Sequence, residues 1–216
     1  MKQTILSMGR RGLVTRAAAF VALSQGVAKA QGGGGDSPVA PVAHLDEALL
    51  ASMKGGARMS FDERYRMLAP VIDQVFNLDT VLANSIGLSW ASLPAERKAE
   101  LSAAFRRYTV SSYVANFNSY NGQSFQISPS VRTVGEKQVV VQTHLIRADD
   151  SPLDLSYVVS ATQSGWQVVD VLMNGSISRV AVQRSDFREL LRNGGVPALV
   201  AGLQSKVASL SGGMAG

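Results

Sequence analysis

The sequence contains no cysteine. That absence excludes disulfides, zinc-cysteine clusters and thiol nucleophiles together, so stability in an oxidising compartment has to come from packing alone. Histidine is nearly as scarce. His44 stands beside a leader segment and His144 inside an alternating segment, and neither has a second ligand at metal spacing, so no metal site is assigned. Membrane-spanning runs are missing as well: the charge-free stretch Ala17 to Ala28 has 12 residues, short of the roughly 20 needed to cross a bilayer as a helix. No Gly-x-Ser-x-Gly nucleophile elbow occurs. Gly32 to Gly35 are neither preceded by a strand nor followed by Gly-Lys-Ser/Thr, which removes a phosphate loop.

One sign of charge dominates only locally. The formal net charge is +5 and the pI about 9.7, which invites a nucleic-acid function. Residues 1–30 hold Lys2, Arg10, Arg11, Arg16 and Lys29 and no acid, leaving 16 basic against 16 acidic residues in the rest of the chain. A formally neutral remainder does not track phosphate backbones. The order of the first thirty residues is that of a secretory signal peptide: a basic segment, the apolar Ala17 to Leu23, and the small-x-small site Ala28-Lys29-Ala30. Cleavage is expected after Ala30. Arg10-Arg11 fits a twin-arginine signal and equally an ordinary basic segment. With no lipoprotein cysteine and no later spanning stretch, the expected location is the periplasm.

Residues 31–42 read as a flexible leader, 43–210 as a single domain of ordinary size with a real core, and 211–216 as a tail. From about Pro41 to Tyr120 the apolar spacing is helical. Ser60-Phe61-Asp62-Glu63 has the form of a capping box, followed by a stripe of Phe61, Leu68, Val71, Ile72 and Val75 in a helix that Pro70 should kink. Asp79 to Ile86 forms a short helix closed by Gly87. Pro94 stands in the first turn of a longer helix carrying Leu101, Phe105, Tyr108, Ser112 and Tyr113. From Gly122 the period becomes two. Gln138 to Ile146, Leu153 to Val159 and Trp166 to Met173 read as antiparallel neighbours. Helix returns from Ser185 or Asp186 to Asn193, stops at Gly194-Gly195, and resumes from Val196 to Ser209. The order gives an α+β layered fold.

Asp170 is the acid of greatest chemical interest, because it sits in the apolar strand Trp166-Gln167-Val168-Val169-Asp170-Val171. It could act as a base with a raised pKa, assisted by His144 or a tyrosine, or accept structural hydrogen bonds. Asp149-Asp150-Ser151-Pro152 reads as a turn. Arg106-Arg107 reads as a solvated face. Arg184, Arg188 and Arg192 fall on one side of a helix and offer a docking surface for acidic groups of a partner. The remaining signal is apolar, and periodicity does not separate a closed core from a cavity.

Three segments together resemble the MlaC-type periplasmic lipid-shuttle family, also named for toluene tolerance. They are Leu68 to Phe76 leading to Gly87-Leu88-Ser89-Trp90; Leu101 to Tyr108 with Tyr113; and Trp166 to Val171 followed by Gly175 to Ser178, Arg184 to Phe187 and Gly194-Gly195. The likeness runs from about residue 45 to 207. Asn174 to Phe187 is most similar to the hopanoid-associated HpnM branch, and lacks the aromatic-plus-arginine segment that the phospholipid branch carries at the positions of Val182 to Arg184. The resemblance implies a curved antiparallel sheet packed on helices around an apolar pocket. It also implies a soluble carrier of hopanoid or phospholipid between an inner-membrane transporter and an outer-membrane acceptor, with transient membrane contact. No catalytic residue and no cofactor are implied. The pocket is expected to draw on Phe105, Tyr113, Phe117, Val141, Leu145, Tyr157, Val159, Val169, Val171 and Met173, each on the more apolar side of its element. The rival readings are an enzyme on a cone-shaped α+β fold and a scaffold with a filled core.

Overall fold

The computed structural model describes residues 37–147 and 152–212. The signal segment, the glycine run, the turn at Asp149-Asp150-Ser151 and residues 213–216 lie outside the described residues.

Five helices come first: α1 (Ala40–Gly55), α2 (Phe61–Val75), α3 (Leu78–Ile86), the single turn α4 (Ser89–Ser92) and α5 (Ala95–Asn116). Helix α1 begins inside the stretch read as leader, with Pro41 in its first turn, where the missing N–H of proline costs nothing. Its buried positions Val42, Leu45, Asp46, Leu49, Ser52 and Met53 follow the helical period. The capping box is present: Ser60 Oγ accepts from the Glu63 N–H at 3.2 Å and Ser60 N–H donates to Glu63 Oε2 at 2.7 Å. Pro70 lies within α2. Gly87 closes α3 at φ 77°. Pro94 caps α5 from outside rather than sitting in its first turn.

The sheet is an antiparallel meander in the order β1-β2-β3-β4-β5, with β1 (Ser124–Gly135), β2 (Gln138–Ile146), β3 (Leu153–Thr162), β4 (Gly165–Met173) and β5 (Ile177–Ser178). The edge strand β1 carries Pro129 within a register shift between Ile127 and Val131, the place where a strand tolerates a residue without an N–H. An irregularity in the β3–β4 pair, between Val158 and Val159, pairs Val159 with Val168 and Val158 with Asp170. This bulge leaves Val169 without an opposite number and changes the face of every residue beyond it.

Helix α6 (Arg179–Leu210) starts six or seven residues before the expected Ser185 or Asp186. Two caps explain the early start. Ser178 Oγ accepts from the Ala181 N–H at 2.9 Å, and Asp170 Oδ1 accepts from the Val180 N–H at 3.1 Å. Gly195 breaks the helix at φ 66°, as the paired glycines indicate.

Apolar residues separate into two clusters. One joins α1, α2 and the second half of α5 to the sheet through Leu45, Leu49, Leu68, Ile72, Val114, Val141, Tyr157 and Val159. The other is helical throughout and joins α3, the first half of α5 and α6 through Leu82, Leu101, Phe105, Phe187, Leu199 and Leu203.

Candidate functional site: a cavity between two cores

Where the two clusters meet they do not close. A cavity of about 520 Å³ lies between them, within the roughly 300–1,000 Å³ range of small-molecule sites. Met53, Phe76, Leu155, Tyr157 and Val171 line it from the sheet side, and Val81, Phe105 and Val180 from the helical side. Asn116, Ser119 and Met173 are lining residues that are also exposed, so the cavity opens there to solvent.

Seven of the ten pocket positions expected from the sequence line this space: Phe105, Tyr113, Phe117, Leu145, Tyr157, Val171 and Met173. Three do not. Val141 and Val159 are fully buried inside the sheet-side cluster, because helices cover their stretch of the sheet. Val169 is buried at the bulge and takes no part in the lining. Alternation places Val169 and Val171 on one face, and the bulge separates them.

One wall is aromatic. Tyr113 stacks on Phe117 at 5.9 Å with 14° between the rings, tilts against Phe76 at 5.6 Å, and Phe117 meets Phe125 at 6.2 Å. Such pairs hold wide apolar surfaces in fixed orientation. Burial pushes the phenols of Tyr113 and Tyr157 well up from their ordinary range, with the charge of nearby Asp46 adding to the effect on both. Both phenols are neutral at physiological pH.

Asp170 lines the cavity, but its carboxylate is engaged. Beyond the Val180 N–H it accepts from the Val171 N–H at 2.7 Å and from Ser178 Oγ at 2.5 Å. His144 pairs instead with Asp154 at 2.6 Å, across the register that sets these two residues opposite, and it alternates with the cavity-lining Leu145. The acid and the histidine required by the enzymatic reading are therefore not brought into one site. His44 is exposed on α1. No group of three or more His, Asp or Glu side chains able to hold a metal occurs among the described residues.

Apart from Asp170, sequence reasoning missed the polar members of the site. Arg147 and Arg179 stand half-buried in the lining, the first just beyond the end of β2 and the second at the start of α6, which only the fold reveals. Gln183 lines the cavity and accepts at 3.1 Å from Ser85 Oγ, a buried polar pair between α3 and α6. Asp46, which lies outside the lining beside Leu45 and Leu49 on the buried stripe of α1, was missed too. It is 5% exposed, neither carboxylate oxygen has a hydrogen-bond partner, and burial pushes its pKa up to about 8.

Arg184, Arg188 and Arg192 do share one side of α6. They line a separate surface groove with α3, Leu88 and Trp90. Arg184 donates to the Asn84 carbonyl through Nε at 2.9 Å and through a terminal nitrogen at 2.6 Å.

The profile of the family described as MlaC protein matches residues 44–205, nearly all of the described chain. The chain belongs to the MlaC protein family. A solved structure similar to this MlaC protein is that of the phospholipid-binding protein from Ralstonia solanacearum, in complex with a phospholipid. The two superpose with a TM-score of 0.70 at 20% identity, over 81% of this chain and 99% of that one. At that identity the likeness is one of fold, and the α+β architecture expected from the sequence is the one observed. Among the described residues of this MlaC protein no helix is long and apolar enough to cross a membrane.

Proposed function

We propose that this MlaC protein is a lipid carrier, and that its cargo is an anionic amphiphile of the phospholipid class. The observation that carries the reading is the unfilled seam between two well-packed cores, apolar and aromatic over most of its wall with two guanidiniums in the lining. An apolar space open at one end suits acyl chains, and arginine forks suit a phosphate. A lipid of about 30 carbons left in water forfeits roughly 20 kcal/mol, so a carrier has to enclose most of it. The phospholipid bound by the Ralstonia protein of the same fold supports the reading.

Export to the periplasm through the N-terminal signal, and exchange with membrane-embedded partners on either side, fit such a task and form part of the proposal. A hopanoid is the second reading. It rests on the Asn174 to Phe187 segment, but a neutral polycyclic body offers no anionic group to the guanidiniums in the lining.

The test is native mass spectrometry of the protein isolated from cells, with organic extraction and lipid identification. A phospholipid at one per chain is expected, and Val81→Trp, which projects a large side chain into the cavity, should expel it. Extraction of a hopanoid would replace the cargo assignment. An empty protein that takes up neither lipid when offered would overturn the carrier reading.

A further inference from the structure

Outside the cavity, the groove along α6 combines three features. Its lining carries the cations Arg184, Arg188 and Arg192 and no acid. Like charges four apart on a helix repel, and among the described residues no carboxylate forms an ion pair with Arg188 or Arg192, both exposed. The groove's rim is the turn between α3 and α4, where Leu88 is 99% exposed. Trp90, half-buried in α4 against the helical core, stands two residues on with the Lys98 ammonium 5.7 Å from its ring centre.

We infer that this face docks on an anionic lipid bilayer, with Leu88 entering the interfacial region and Arg188 and Arg192 against lipid phosphates. A fully exposed leucine beside a tryptophan, flanked by arginines, has the composition of surfaces that partition into a charged bilayer interface. Arg184 is the anchor of the groove rather than a lipid contact, because its guanidinium is held by the last-turn carbonyl of α3 at Asn84. The position has a consequence for loading. Helices α3 and α6 are shared walls: Val81 and Gln183 face the cavity while Asn84 and Arg184 face the groove. A bilayer seated in the groove presses on the two helices joined by the Ser85–Gln183 hydrogen bond. The loading part of the inference rests on the carrier reading, whereas the docking part does not.

The experiment is co-sedimentation of the isolated protein with vesicles of phosphatidylglycerol and phosphatidylcholine in equal parts, and with phosphatidylcholine alone, at low salt. Wild type should sediment with the anionic vesicles only, and high salt should release it. Arg188→Glu combined with Arg192→Glu should weaken binding by at least about 30-fold, and Leu88→Asp by at least about tenfold. Circular dichroism should show the fold unchanged, and all forms share the same N-terminal segment, so the difference reads the groove. Wild type that ignores anionic vesicles, the result expected of a surface built for an acidic protein, would overturn the inference, as would a reversal variant that sediments normally. Native mass spectrometry separates the two readings. Bound lipid retained in the reversal variant leaves the carrier standing, while absence of lipid from every form, with vesicle binding lost as stated, leaves docking standing without a carrier.

Discussion

The sheet-side core and the helical core use similar leucines, valines and phenylalanines but are closed differently. On the sheet side, α1 and α2 lie over strands whose side chains alternate, and α1 buries an acid, Asp46, whose carboxylate oxygens have no hydrogen-bond partner. On the helical side, α3, α5 and α6 interlock through Leu101, Leu199 and Leu203 and the edge-to-face pair Phe105 and Phe187 at 6.2 Å, with no buried acid in the cluster. Helix α5 serves both, its first half in one core and its second half in the other. The cavity is the space that α5 spans, where polar Thr109, Ser112 and Gln183 replace the apolar residues that would have sealed it. A binding site can thus arise without a special motif, by keeping two cores from merging.

The largest effect should come from Asp46. With its folded pKa at about 8 against an ordinary 3.8, the folded state keeps the proton between those values while the unfolded chain loses it. Stability therefore falls as pH rises through that window, by as much as about 6 kcal/mol, and levels off above it. Urea denaturation of wild type and Asp46→Asn across pH 4 to 9 checks this, with the Asn variant expected to be flatter. Equal slopes in the two proteins would remove the contrast between the cores.

Next come truncations inside each core. Phe187→Ala should cost about 3–5 kcal/mol, and Leu45→Ala or Leu203→Ala about 2–5 kcal/mol, by thermal or urea unfolding. If the clusters are separate, the Leu45 and Leu203 effects should add to within about 0.5 kcal/mol in the double variant. Strong coupling would mean a single core.

At the seam, Ser85→Ala removes the donor to buried Gln183 and should cost about 1–3 kcal/mol, with a measurable change in lipid occupancy by native mass spectrometry. The smallest effect belongs to the α2–α5 surface. Arg106 there grips Asp73 through two 2.7 Å bonds with both side chains about 40% exposed. Asp73→Asn should shift stability by less than about 1 kcal/mol, and a larger loss would show the surface clamp to be part of the sheet-side core.

Much of the fold could be read in the chain because it depends on local rules. The Ser60 capping box, the Gly87 and Gly195 helix breaks, and the strand Gln138 to Ile146 follow from residue type and period. Strand β1 was hidden by Pro129 and by polar, largely exposed residues, and the start of α6 by caps that come partly from Asp170 on another strand. Seven of ten pocket positions were legible because the apolar side of an element faces inward whether the interior is filled or empty.

What the sequence determined by itself is which residues avoid water and in what period, since these are properties of neighbours along the chain. Which of those residues meet one another, and where they fail to meet, was decided by tertiary structure. The bulge at Val169, the capping of α6 by Asp170 and the gathering of Arg147 and Arg179 at one cavity each depend on strands and helices distant in sequence. A gap between cores has no residue of its own to announce it.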